Sequence, residues 1–284
     1  MTAMSSILTN TSAMVALQTL RSINSGLAKT QDEVSTGKAV GSAKDNAAIW
    51  SIAKVMETDA SSFKVIGDQL AVAESTLAVG VTGAEQVVSL LKEMKDLAAG
   101  AANDTADFAK VQAAITAKSD QITAVINGSQ LNGIALLKTD INGSGGTAYD
   151  VLASLDRTSG TVATSAVSIT VAGPDFEANV NAAGVTAVAD KASALTAVGE
   201  IEALIDTAIQ GAATLGAAAS RVTDQKGFVS KLVDSLKNGI GSMVDADMEA
   251  ASAKLQALQV QQQLATQSLS IANQAPQNIL TLFK

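Results

Sequence analysis

The chain has 284 residues and a net charge of -8, from 19 basic against 27 acidic side chains, a balance that disfavours nucleic acid and anionic membranes as partners. It contains no His and no Cys, which removes imidazole acid–base chemistry, thiolate sites, disulfides and the usual zinc ligand sets. Hydrophobic residues reach 47% but aromatics only 2%, so the apolar content is Ala, Val, Leu and Ile, which suits long helices lying close together better than a globule built on aromatic anchors.

In chain order, the opening MTAMSSILTNTSAM lacks a basic segment followed by an apolar core, so no secretory signal is expected there. From Ala13 apolar positions step by four and three through Leu17, Leu20, Asn24, Leu27, Gln31 and Val34, which predicts a heptad helix. Gly37 and Gly41 end it, and Ser42 with Asp45 has the spacing of a capping box for the next helix, with Asp in place of Glu. The second run passes through Ile49, Ile52, Met56, Asp59, Phe63, Ile66, Leu70, Ala73, Leu77, Gly80, Ala84, Val87, Leu91, Met94 and Ala98. It predicts one helix of about 80 Å, or two joined near Gly80 and Gly83. Trp50, the sole tryptophan, reads as a packing anchor at its start.

A third helix is expected after an N-cap at Asp104, carrying Phe108, Val111, Ile115, Ile122 and Val125 and ending near Asn127-Gly128. Between Leu131 and Ala189, Gly, Ser and Thr rise and β-branched residues alternate. Two to four short strands are expected there, with INGSGG and RTSG as turns. Near Asp190 a fourth helix begins, stepping through Val198, Ile201, Ile205, Ala208, Ala212, Leu215, Ala219, Val222, Lys226, Val229, Val233, Leu236 and Ile240. Its phase slips at NGIGSM and resumes as Val244, Met248, Ala251, Leu255, Leu258, Gln262, Ala265, Leu269 and Ala272, with Pro276 expected to end it. Behind Pro276 comes an apolar tail, Ile279, Leu280, Leu282 and Phe283.

The fold class expected is mainly α: long antiparallel heptad-patterned helices forming a coiled-coil-like bundle, with a small β-containing insertion in the middle. A chain that runs out and returns pairs the first helix with the last and the second with the fourth. Aligning the terminal stripes sets Asn24 opposite Gln261 and next to Gln262; either the two polar seam residues meet within one chain and fix register, or Gln262 faces a wet groove or another subunit.

The stretch SGLAKTQDEVSTGKAVGSAKDNAA resembles the N-terminal signature of bacterial flagellins. The last 42 residues or so resemble their C-terminus, in the order Asp245-Ala246-Asp247, Ala272-Asn273-Gln274, Pro276-Gln277 and the leucine-rich tail. Gln130 to Leu137, QLNGIALL, is similar to the family's Asn-Gly turn into its first β-element. The resemblance implies a filament subunit with a reduced variable region, divided as 1–42 with 245–284 for a terminal coiled-coil domain, 43–130 with 190–244 for an inner helical bundle, and 131–189 for a β-rich outer region. It implies self-assembly into the flagellar filament through Leu17, Leu20, Leu27, Val34, Leu255, Leu258, Gln262, Leu269, Ile279, Leu280, Leu282 and Phe283, with termini that fold on assembly. It also implies export without a cleaved signal peptide, a chaperone that binds the C-terminus, cap and hook-junction proteins as partners, an extracellular location, and no membrane insertion. In many members the second helix carries an Arg-bearing patch read by a Toll-like receptor; the matching stretch here, Lys92, Glu93, Met94, Lys95, Asp96, Leu97 and Ala98, has Glu93 at the first arginine position.

No catalytic, cofactor or metal residues are assigned. Asp245, Asp247 and Glu249 read as carboxylates at a helix N-terminus rather than a cation site, since no loop glycine or bidentate Glu stands at calcium-loop spacing. Asn127 and Asn142 match glycosylation acceptors but read as turn residues, and TSGTVATSAVSIT reads as a solvated strand pair rather than a carrier of O-linked sugars. An enzyme needs converging polar groups, and none form a recognisable constellation. A helical signalling or adaptor protein of receptor type needs a membrane span, and no run is long and apolar enough. The hook–filament junction protein shares the helical plan, but the NQAPQN-ILTLF ending favours the filament subunit.

Overall fold

The computed structural model describes residues 10–103, 106–155, 157–158, 161–162 and 167–282, with side chains as far as residue 274. Helices α1 (Thr11–Thr36), α2 (Ala47–Gly100) and α3 (Phe108–Gly128) precede strands β1 (Ala148–Ser154), β2 (Arg157–Thr158), β3 (Thr161–Val162) and β4 (Val167–Ala172). The short α4 (Phe176–Asn179) and a 3₁₀ turn follow, then α5 (Lys191–Val244) and α6 (Met248–Leu282). The mainly α fold with a small β-containing middle is as expected. The chain forms two compact units, residues 1–59 with 235–284 and residues 60–234.

In the second unit α2 and α5 run antiparallel. Gly67 faces Val229, Gly80 faces Leu215, and Lys95 pairs with Glu202. The α2 side of this seam is Ile66, Leu70, Ala73, Leu77, Ala84, Val87, Leu91, Met94 and Ala98, all buried at heptad spacing. Facing them on α5 are Ile201, Ile205, Ala208, Leu215, Val222 and Val229, also buried. Burial of each large aliphatic side chain contributes roughly 1.5–3 kcal/mol, so the seam is the main source of cohesion here. On α3, Ile115, Ile122 and Ile126 complete the core.

Gly80 and Gly83 do not divide α2, which is continuous over 54 residues. Their role is close packing. A Cβ built on Gly83 would collide with Ser129 Oγ and lie 3.0 Å from Leu137 Cδ1. Glycine therefore lets the chain after α3 lie directly on α2. Likewise Gly239 and Gly241 leave α5 unbroken; Met56 Cε sits 3.0 Å from the Cβ position of Gly239.

Helix starts differ in detail from expectation. Asp45 Oδ2 does accept from Ser42 N and Oγ at 2.9 Å, but these bonds close a turn before the helix. Asn46 is the cap of α2, its Oδ1 accepting from Ala48 N and Ile49 N. Asp107, not Asp104, caps α3 by accepting from Lys110 N; Asp104 lies outside the described residues. The start of α5 has a reciprocal box: Asp190 Oδ1 accepts from Ser193 N, and Ser193 Oγ accepts from Asp190 N.

In the middle, β1 and β4 pair antiparallel, with Val151 opposite Ile169. Val151, Ala153, Ile169 and Val171 turn inward, and Gln225 Nε2 on α5 donates to Ala153 O at 2.8 Å. Asn132 and Gly133 both have positive φ, 51° and 81°, closing a tight turn with Leu131 and Ile134 exchanging backbone bonds. It leads to an isolated bridge, and the first strand begins only at Ala148. Asn142 Oδ1 accepts from Ser144 N and Gly146 N, which is turn chemistry. Residues 159–160, within the expected RTSG turn, and 163–166 of the Ser/Thr-rich segment lie outside the described residues.

Several exposed carboxylates stabilise this unit only while ionised. Lys226 Nζ donates to Glu74 Oε2 at 2.7 Å, and this bond, then one from Thr223, holds Glu74 below its ordinary 4.5. Backbone N–H donors from Gly145 do the same to Asp140, and from Ser193 to Asp190, relative to 3.8. A lowered folded pKa means the unfolded chain takes up the proton first on acidification. The stabilisation is complete above about pH 4.5 and is lost as pH falls through the lowered folded values. The thermal midpoint of the protein should therefore drop between pH 5 and pH 3, and Glu74→Gln should drop less over the same interval while starting lower. A steeper acid loss in Glu74→Gln than in the parent would refute the assignment.

The Gly83 contact predicts that Gly83→Ala destabilises by about 1–3 kcal/mol, the usual overpacking cost. Adding Ser129→Ala should recover part of it, because Ser129 Oγ is the nearest obstacle. Denaturant midpoints of the two variants provide the comparison.

Candidate functional site: a terminal helix pair

In the first unit α1 and α6 lie antiparallel along their lengths. The joint where the pair begins is made of backbone. Gly37 takes the left-handed conformation, φ 69°, and its N–H reaches Glu33 O to close α1. Ala39 N then donates to Val244 O at 2.8 Å and Ala246 N donates to Gly37 O at 2.9 Å. Asp247 Oδ1 accepts from Glu249 N and Ala250 N, so of the carboxylates expected at a helix N-terminus Asp247 supplies the cap of α6 and Glu249 stands in its first turn, whereas Asp245 follows the end of α5.

The seam of the pair is narrow. Gly26 lets Leu258 approach to 3.7 Å from its Cβ position. Leu20, Leu27 and Val34 on α1, and Leu255, Leu258, Gln262 and Leu269 on α6, are half-buried between the helices. Thr30 and Ala251 are the fully buried residues of this stretch. Gln262 Nε2 donates to Asn24 Oδ1 at 2.7 Å, so the two polar seam residues meet within one chain. At the far end Asn10 Nδ2 donates to Ala272 O at 2.8 Å, and Asn10 Oδ1 caps α1 by accepting from Ala13 N.

Leu17 is not in the seam: it is 39% exposed, beside Met14 at 63% and Val15 at 64%. On α6, Val260, Leu264 and Ile271 are likewise exposed. They step by four and seven, a second apolar stripe displaced from the Leu255–Ala272 stripe. That spacing is visible in the sequence, but a heptad count that follows one stripe passes over it. Ile279, Leu280 and Leu282 fall within the helical backbone of α6, whereas their side chains, and Phe283 altogether, lie outside the described residues. Pro276, expected to terminate α6, is inside it.

Residues matching the receptor-read patch sit on α2 in the other unit. Glu93 accepts from Lys118 Nζ at 2.5 Å and Lys95 pairs with Glu202 at 3.3 Å. Lys92 and Asp96 are exposed, and Met94 and Ala98 point into the core. The stretch is thus a partly ion-paired acidic and basic face. No helix among the described residues is long and apolar enough to cross a membrane.

Thr30 carries a cost. Its Oγ1 is buried and has no hydrogen-bond partner among the described residues. An unpaired buried hydroxyl costs about 1–3 kcal/mol. Thr30→Val has the same shape without the hydroxyl and should stabilise the pair by roughly 1 kcal/mol. Slower hydrogen exchange along α1 and α6 is the expected reading, and faster exchange contradicts the packing described.

The sequence matches the bacterial flagellin N-terminal helical region over residues 7–141 and the bacterial flagellin C-terminal helical region over residues 198–283. It is 36% identical over 285 residues to flagellin FljM of Caulobacter vibrioides, covering 99% of this chain and 100% of that one. A flagellin of Brucella melitensis is 36% identical over 291 residues with the same coverage. Flagellin A of Rhizobium meliloti is 31% identical over an alignment of 396 residues that again takes in 99% and 100% of the two chains, so that relative has sequence this one lacks. With both helical regions matched in order and relatives aligned from end to end, this chain belongs to the bacterial flagellin family, the structural subunits of the flagellar filament.

Proposed function

We propose that the α1–α6 pair is the surface through which this flagellin builds its filament. The observation that carries the reading is the apolar side chains left exposed on both helices of the pair: Met14, Val15 and Leu17 on α1, and the stripe Val260, Leu264 and Ile271 on α6. A two-helix seam buries too little to stabilise itself, and contiguous exposed apolar surface marks an interaction site. The sequence of the tail, with Ile279, Leu280, Leu282 and Phe283, continues the same character. The half-buried Leu20, Leu27, Val34, Leu255, Leu258 and Leu269 are then completed by neighbouring subunits, and Gln262 with Asn24 holds the register of each pair. On this reading residues 1–42 with 245–284 form the filament core domain, 43–130 with 190–244 the inner bundle, and 131–189 the outer region.

The finer partners follow from the same chemistry. An apolar tail that is covered only in the filament needs a chaperone before export, and a chain without Cys suits passage through the flagellar export apparatus. The cap and hook-junction proteins are its neighbours at the ends of an extracellular filament. The protein has a structural role and no enzymatic one.

Purified protein, given ammonium sulfate or short filament seeds, should polymerise into fibres visible by electron microscopy. Leu264→Glu, and separately removal of the residues after Pro276, should abolish elongation while the α2–α5 unit keeps its helicity. Filaments of normal stability from Leu264→Glu would show that the exposed stripe is not the assembly surface.

A second expectation concerns the receptor. A carboxylate at position 93 cannot make the bidentate donor contact of an arginine, and Glu93 is already held by Lys118. Reporter cells bearing the Toll-like receptor should respond weakly or not at all. A response equal in potency to that of an Arg-bearing flagellin counts decisively against this.

A further inference from the structure

A proline inside a helix removes the N–H that would bond the carbonyl four residues earlier, and its ring crowds that carbonyl. For Pro276 the carbonyl is that of Ala272. Yet α6 continues to Leu282. The carbonyl of Ala272 is the acceptor of the one long-range bond made by Asn10, whose Nδ2 stands 2.8 Å from it. The orientation of the Asn10 amide follows from its two partners together. Ala13 N can only donate, so it faces Oδ1 at 3.0 Å; the carbonyl can only accept, so it faces Nδ2.

We propose that Asn10 is the positioning residue that lets α6 pass Pro276. One amide group closes two helix defects at once: the open N-terminus of α1 and the acceptor that proline leaves without its usual donor in α6. Because both bonds use the same planar group, they form together. The start of α1 is thereby tied to the persistence of the last turn and a half of α6, the segment that carries the apolar tail. No other residue type does this as well. Asp keeps the cap acceptor but has no donor, and Ser or Thr keeps a cap oxygen but falls short of the reach. Without the donor, Pro276 becomes the end of the helix, and the tail follows an unspecified path.

The inference rests on the filament reading for its setting and is tested by a double-mutant cycle that does not depend on it. Asn10→Asp and Asn10→Ser remove the donor and retain an N-cap. Pro276→Ala restores the backbone donor to Ala272 O and makes the Asn10 donor dispensable. Hydrogen exchange of the amides of residues 277–282 is followed by mass spectrometry in seeded filaments of the full-length chain. Both Asn10 variants should speed exchange in this segment about fivefold to tenfold, the factor that one net hydrogen bond confers. In the Pro276→Ala background the same changes should speed it less than twofold. A purely structural capping role predicts equal losses in both backgrounds, and that result overturns the proposal. A parent chain that does not polymerise fails the filament reading instead, and the same cycle measured on the unassembled chain then decides the role of Asn10 alone.

Discussion

The apolar seam of period three and four between antiparallel helices is the interaction on which the rest depends. Where the seam has bulk, as between α2 and α5, it closes on itself. Ile66, Leu70, Leu77, Leu91 and Met94 are buried with Ile201, Leu215, Val222 and Val229 in one cluster, while Val65, Val72, Leu195, Ile209 and Phe228 on the same two helices stay exposed. With so few aromatics, density comes from close approach instead. Glycines allow it: Gly80 and Gly83 on α2 admit Leu136, Leu215 and Ser129, and Gly211 on α5 admits Phe176, to within a side chain's width of the helix backbone. Where the seam is thin, as between α1 and α6, the same geometry leaves leucines half covered. The difference between a finished core and an unfinished one is therefore a matter of how many sides of each helix are apolar.

Unfinished cohesion in the terminal pair is balanced by unusually explicit polar definition. Asn24 with Gln262 and Asn10 with Ala272 O stand at separate points along the pair. The exposed Asn24–Gln262 bond adds little net stability. Each of the two bonds penalises a sliding error, because a slip of one turn leaves donors and acceptors unmatched. A polymer subunit benefits from that division of labour. Register is decided inside the chain, and strength is left to the contacts between chains.

How much was legible in the sequence varied with the kind of signal. Long periodic runs were read correctly because heptad spacing over many turns has no competing explanation; Leu70 and Val222 are buried where the stripe places them. Local punctuation was read less well. Gly80 and Gly83 leave open in the sequence whether α2 is one helix or two, and Gly239 and Gly241 mark a phase slip, since a helix weakened by glycine is the ordinary inference. For Gly80, Gly83 and Gly239 the reason is tertiary, a distant side chain close to the Cβ position, and a sequence scan has no access to such neighbours; at Gly241 the near atom is the carboxylate of Asp245, four residues on. Pro276 was misread for the same reason: its missing donor is compensated from 262 residues away by Asn10. The cap of α2 went to Asn46 rather than Ser42 because a short turn intervenes before the helix. The second stripe, Val260, Leu264 and Ile271, was open to reading. It was masked by the stronger stripe beside it.

The joint between the two arms has a consequence for what the sequence there is able to change. Val244 O, Ala39 N, Val40 N, Gly37 O and Ala246 N make it, and all are main-chain atoms. Side chains at 38, 39, 40, 245 and 246 hang off this joint without taking part in its bonds. Their identities are therefore loosely constrained by the joint itself, and drift there leaves the geometry of the arms untouched. The bonds ask for a residue at 37 that tolerates positive φ, and an N–H at 39, 40 and 246, which every amino acid except proline supplies. Variation in this turn between related chains is thus a poor guide to whether the arms still meet, while a single proline is a sufficient one.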